Sequence, residues 1–227
     1  MEGKDRHEYK FLISREGGWL LKQQLPRLMQ RDPHAGPNGS YTIRSLYFDD
    51  PAFTAFHDKM SGVDHRTKYR IRCYDYQDNL FRLERKEKNG DLTRKAGEIL
   101  TPEQVRAFEN DPHALPPAAP GSLAEELRLL CIGSGVRPVV LVDYDRSSFV
   151  CSAGNTRITL DENLRTLPYC HDIGASPGAM ISVTEPDQVI LEIKFDEFLP
   201  GYLGAYFRDF PKIPMAFSKF AMCLQLV

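Results

Sequence analysis

At 227 residues the chain is long enough to bury a substantial core, and its 42% hydrophobic and 26% charged residues are ordinary for a globular protein. A net charge of −2 excludes a general nucleic-acid binder, and no apolar run approaches the ~20 residues that span a bilayer. Five cysteines, with no C-x-x-C pair or Cys/His metal spacing, point to reduced thiols in a cytoplasmic protein built as one domain over residues 1–227.

Strand signals dominate in chain order. Alternation marks 6–13, 41–49, 66–76 and 80–88, and a turn at Asn89-Gly90-Asp91 leads to 92–99. Further strands are predicted at 137–151, 155–162 and 188–196. Helices are predicted at 15–31, interrupted by Gly17-Gly18 and Pro26, and from Asp50-Pro51 onward. Thr101-Pro102-Glu103-Gln104 is a capping-box start, and 122–131 and 218–226 also read as helical. The Pro-rich 111–121 is a loop, and 169–180 is expected to be a flexible one. Eight strands in sequence predict an α+β protein, an eight-stranded antiparallel barrel with helices packed outside.

The faces of these strands carry the functional signal. In "RTKYRIRCYD", Arg66, Lys68, Arg70 and Arg72 project to one side, and Thr67, Tyr69, Ile71 and Cys73 to the other. Arg82, Glu84, Lys86 and Lys88 share one face of the next strand. Glu8 and Lys10 oppose Tyr9, Phe11 and Ile13; Arg157, Thr159 and Asp161 oppose Ile158 and Leu160; Glu192 and Lys194 oppose Leu191 and Ile193. Between Arg66 and Lys95 lie ten Lys/Arg against five Asp/Glu. A solvated sheet face accounts for any one strand. Recurrent arginine with carboxylates on certain strands points instead to a barrel with a polar interior, its charges paired with one another or with a bound anion.

At these residues the chain resembles the VTC domain, the polyphosphate polymerase domain of the vacuolar transporter chaperone family within the CYTH-like triphosphate tunnel metalloenzymes. The resemblance rests, in order, on "RHEYKF", "SLYFDD", "HDKMSG", "RTKYRIRCYD", "FRLERKEKNG", "DYDRSSF", "TRITLDENL", "LEIKFD" and "FSKF". It implies a basic tunnel that binds triphosphate or polyphosphate with divalent Mn or Mg. Carried over by position, Lys10, Arg70, Arg72, Lys86, Arg146, Arg157 and Lys219 look like phosphate ligands. Either Arg94 or Lys95 fills a further basic position, and Arg66, Lys68 and Lys59 also match. Glu192 looks like a metal ligand, with Glu8 or Glu84 as further carboxylates; Ser218 reads first as a helix N-cap that also suits phosphate. The wider superfamily's Glu-x-Glu-x-Lys becomes Arg6-x-Glu8-x-Lys10 here, which argues against a two-metal triphosphatase.

The implied activity is transfer of the ATP γ-phosphate to a growing polyphosphate chain, with inorganic triphosphatase and a non-catalytic polyphosphate- or pyrophosphate-binding module as alternatives. No nucleic-acid partner is expected. Eukaryotic relatives couple the domain to membrane segments, so a membrane-protein partner is expected rather than a span in this chain. His57 and His65 lack metal spacing, and Cys73, on the apolar face, is expected in the core.

Overall fold

The computed structural model describes residues 7–90, 92–115, 118–216 and 218–226. Arg6, at the head of the first motif, and Asp91 of the expected turn lie outside them. In chain order the elements are β1 (His7–Ser14), α1 (Arg15–Gln24), β2 (Gln30–Arg31), β3 (Tyr41–Asp49), α2 (Thr54–Met60), β4 (Arg66–Tyr74), β5 (Phe81–Asn89) and β6 (Leu92–Leu100). They continue with α3 (Pro102–Asn110), α4 (Leu123–Ser134), β7 (Arg137–Cys151), β8 (Thr156–Pro168), β9 (Ile181–Ser182), β10 (Gln188–Phe195), α5 (Gly201–Arg208), β11 (Ile213–Pro214) and α6 (Lys219–Leu224).

The protein is thus α+β, as expected, but the strand count differs. The eight long strands fall where alternation places them; β2, β9 and β11, two residues each, raise the total to 11 among the described residues. The hydrogen-bonded order is β11-β1-β10-β8-β7-β3-β4-β5-β6, with β2 on β7 and β9 on β8. This path has two ends, so the sheet is not closed into a barrel among the described residues. No helix there is long and apolar enough to cross a membrane.

The chain falls into two compact units. Unit 1 comprises 1–42, 144–164 and 184–217; unit 2 comprises 43–143, 165–183 and 218–227. In unit 1, Ile13, Leu160, Leu191 and Ile193 pack against Leu21 of α1 and Leu203 and Phe207 of α5. Ser14 caps α1 by accepting from the Gly17 amide at 3.1 Å. A Cβ on Gly18 would stand 3.0 Å from Val189, so glycine lets the helix lie close on β10. The helix gives way at Leu25–Arg27 to a 3-10 turn, where Pro26 cannot continue the ladder. It is therefore shorter than the expected 15–31.

In unit 2, Leu46, Ile71 and Leu83 pack with Val105 and Phe108 of α3 and Leu127 of α4. The α3 capping box forms as its sequence predicts. Asp50 does not open α2 directly; its carboxylate accepts from the amides of Ala52 and Thr54, and the helix starts at Thr54. Segment 169–180, expected to be flexible, is tied down by Arg44. That guanidinium forks onto Asp143 at 2.9 and 2.8 Å and donates to the Ile173 and Ala175 carbonyls at 2.9 and 2.6 Å. Helices α1 and α5 cover the apolar strand face in unit 1 and α3 and α4 cover it in unit 2, whereas α6 lies on the charged side of unit 2, where Phe220 meets Lys68 and Tyr47.

Candidate functional site

Antiparallel register decides which charges meet, because directly paired residues share a face. In unit 2, β4 and β5 pair Arg66 with Lys88, Lys68 with Lys86, Arg70 with Glu84 and Arg72 with Arg82. β6 then adds Lys95 opposite Lys86 and Gly97 opposite Glu84. One face thus gathers the cations Arg66, Lys68, Arg70, Arg72, Arg82, Lys86, Lys88 and Lys95 around a single carboxylate, Glu84. The rung Lys68–Lys86–Lys95 places like charges on three adjacent strands, an arrangement that like-charge repulsion disfavours.

Glu84 is the hub of this face. Arg70 donates to it from Nε at 2.7 Å, Arg72 approaches at 3.6 Å and Arg82 at 3.8 Å. Arg70 also donates to the Tyr47 hydroxyl at 2.8 Å, and Arg72 to Ser45 at 3.4 Å. At Gly97 a Cβ would stand 2.9 Å from the Arg82 Nε, so glycine lets that side chain lie across β6 toward Glu84. Burial pushes the Glu84 carboxyl up, but Arg70 and Arg72 outweigh it and hold the group at about 2, below its ordinary 4.5. A depressed carboxyl stabilises the fold above its unfolded pKa and loses that contribution as pH falls through the folded one. Wild type should therefore be more stable than Glu84→Gln at neutral pH, with the gap closing between pH 4.5 and about 2. A gap that persists at the acid end in urea melts would contradict this.

Register also separates two residues that sequence spacing left equivalent. Lys95 stands on the cationic face, whereas Arg94 pairs with Glu87 on the helix-covered side. Lys68 donates to Ser218 at 3.2 Å and sits 4.6 Å above the Phe220 ring, and Ser218 caps α6 through the Ala221 amide. Lys219 is the first residue of that helix. Arg66 belongs to the face by register, but its NH1 donates back to the Val63 carbonyl at 2.6 Å. Lys59 lies on α2 and on neither strand face. Cys73 is buried, and burial pushes its thiol up to about 11, so core packing describes it. His57 and His65 are exposed.

Unit 1 carries a second ionic group with a different balance. β1 and β10 pair Lys10 with Glu192 and Glu8 with Lys194, while β8 sets Thr159 opposite Glu192 and Arg157 opposite Lys194. Lys10 reaches Glu8 at 3.4 Å and Glu192 at 3.9 Å, and Lys194 bonds Glu192 and reaches Glu8 at 3.5 Å. Arg146 forks onto Asp161 at 2.6 Å and approaches Glu192 at 3.7 Å. Burial works against the Arg146 charge, but Asp161 and Glu192 raise its pKa well above the ordinary value. Lys10, Arg146 and Lys194 thus balance Glu8, Asp161 and Glu192. Beneath them the hydroxyls of Thr159 and Ser148 are buried without a hydrogen-bond partner.

Sequence reasoning assigned roles to Glu8, Lys10, Arg146, Arg157 and Glu192 here and left out Lys194 and Asp161, although alternation puts both on the same face. In unit 2 it left out Arg82, Lys88 and Tyr47. Tyr47 carries no signal, because every residue from Ile43 to Asp49 in β3 is buried.

An antiparallel sheet with helices packed on its apolar face and ionic groups on the other makes this an α+β protein. The chain belongs to the VTC domain family, whose model matches residues 5–227. A Bacillus halodurans protein described as a candidate adenylate cyclase superposes with a TM-score of 0.55 at 16% identity, over 94% of this chain and 96% of its own. The PH1819 protein of Pyrococcus horikoshii superposes with a TM-score of 0.51 at 12% identity, over 97% of this chain and 100% of its own. At these identities the likeness is one of fold. No curated protein matches the sequence.

Proposed function

We propose that this protein is a divalent-metal-assisted polyphosphate polymerase that transfers the γ-phosphate of ATP to a growing polyphosphate chain. The observation that carries the proposal is the β4–β5–β6 face, where eight cations surround one carboxylate. A polyphosphate places about one negative charge on each internal phosphate. Arg70 and Arg72 offer forks to its oxygens, while Lys68, Lys86 and Lys95 offer point charges on neighbouring strands. Phosphoryl transfer passes through a loose transition state that needs positioning and charge stabilisation more than a protein nucleophile. The buried, raised thiol of Cys73 accords with that. Membership of the VTC family favours phosphate over water as the acceptor.

A metal fits this chain in one mode. Among the described residues no group of three or more His, Cys, Asp or Glu comes together, so an all-protein cage is not on offer. Mg-type ions are commonly held by one or two carboxylates, with phosphate oxygens and water filling the other positions. Glu192 and Glu8, both reached by Lys10 and Lys194, would supply those carboxylates. When bound, the ion would neutralise charge on the transferred phosphate. Lys10, Arg146 and Lys194 hold the two carboxylates in place.

The test is to incubate the protein with ATP and Mn, and separately with triphosphate and Mn, and resolve products by chain length. Chains longer than three phosphates with release of ADP are the expected result. Orthophosphate alone from triphosphate would make it a triphosphatase, and tight binding without turnover a binding module.

A further inference from the structure

In unit 1 a cavity of about 700 Å3 lies between residues 26–34 and the β7–β8 hairpin, residues 150–157. Its lining includes two guanidiniums, Arg27 and Arg157, and the imidazole of His34, all able to donate to an anion. Among the described residues neither guanidinium enters an ion pair, whereas Lys10, Arg146 and Lys194 of the same unit are all paired. One carboxylate, Asp32, also lines the cavity, and it accepts from the His34 amide at 3.1 Å. The two guanidiniums are therefore not neutralised by the protein, and both address one space.

Through Arg157 the lining adjoins the ionic group of unit 1 on the sheet. Arg157 is the direct register partner of Lys194, one strand spacing away, or about 4.8 Å. One alternation step further in on β8 lies Thr159, and the same step from Val150 on β7 leads to Ser148. These two hydroxyls are buried and without a partner. A linear polyanion that leaves Lys194 meets Arg157 next, then the cavity with Arg27 and His34.

We propose that this cavity is a distal subsite for the polyphosphate chain, which holds phosphates beyond those engaged at the ionic group of unit 1. The proposal rests on the function proposed above and adds a dependence on chain length. Phosphates held at Arg27 contribute to affinity only when the chain is long enough to reach them, so tripolyphosphate does not sense the subsite. The apolar part of the lining, Pro26, Leu28 and Val150, would equally suit a nucleoside. The unneutralised guanidiniums favour the phosphate chain.

The experiment measures the affinities of long-chain polyphosphate, tripolyphosphate and ATP for wild type and for Arg27→Ala and His34→Ala. Both residues are exposed, so their truncation leaves the core intact, and melting curves check this. Arg27→Ala should weaken long-chain polyphosphate binding about tenfold, the effect of one lost charge-assisted contact. His34→Ala should weaken it less, and tripolyphosphate and ATP should stay within about twofold of wild type in both variants. Unchanged long-chain affinity, or an equal loss for tripolyphosphate, would overturn the subsite. A loss confined to ATP would overturn it in favour of a nucleoside pocket. Wild type that binds none of the three would instead remove the function on which the subsite rests.

Discussion

Replacing Arg70 or Arg72 with alanine should weaken tripolyphosphate binding by about ten- to a hundredfold. On the proposed function each guanidinium would contribute a charge-assisted contact worth roughly 1.5–3 kcal/mol. The two residues stand two apart on β4, roughly 6.5–7 Å along the strand, a spacing at which both would reach phosphates of one chain. Arg70 is held in place by Glu84 and the Tyr47 hydroxyl, and Tyr47 is itself packed on Phe220 with ring centroids 5.1 Å apart. Lysine should therefore recover only part of the loss, because a point charge cannot reproduce a fork aimed by two partners. Titration calorimetry decides the matter: wild-type affinity in both alanine variants would remove this strand from the binding face.

The second large effect concerns stability. Arg44 is 2% exposed and Asp143 is fully buried. All five guanidinium N–H groups find partners on Asp143, Ile173, Ala175 and Met180. Arg44→Leu strands a buried carboxylate and unties the segment that carries Ile173 into the unit 2 core. Breaking one partner of a buried pair costs about 3–5 kcal/mol, which lowers the melting temperature by roughly 10 °C for a chain of this size. The double change Arg44→Leu with Asp143→Leu should recover much of that loss, since no lone charge remains. Hydrogen exchange should show residues 170–180 opening first. A single variant with wild-type melting behaviour would mean the pair is not a structural tie.

Much of this could be read in the chain, and the exceptions have physical causes. The sequence pattern located all eight long strands, with period-two alternation clearest where a strand buries one face and leaves charges on the other, as β4 and β5 do. The choice between Arg94 and Lys95 was also legible in principle. Once the Asn89-Gly90 turn pairs Asn89 with Leu92, the ladder is fixed and Lys95 must fall opposite Lys86. Arg44 was not legible, because it sits on the apolar side of a strand buried on both faces, opposite Cys73, and its partners are remote in sequence. Helix α5 was hidden for a different reason. It opens with Gly201 and carries Gly204 mid-length, so neither propensity nor a cap announces it; Leu203 and Phe207 packed in the core hold it. The balanced charges of unit 1 and the excess of cations in unit 2 likewise emerge only from register.

The Lys68–Lys86–Lys95 rung offers the most direct test that the cationic face holds a polyanion, through Lys86→Gln measured for tripolyphosphate affinity and for melting temperature without ligand. If the rung holds phosphate, the two quantities move in opposite senses. Affinity should fall about tenfold as a charge-assisted contact is lost. The ligand-free protein should melt higher, because relieving like charges on adjacent strands is worth about 0.2–1 kcal/mol. Unchanged affinity, with a melting temperature that holds or falls, would show this face to be ordinary solvated surface.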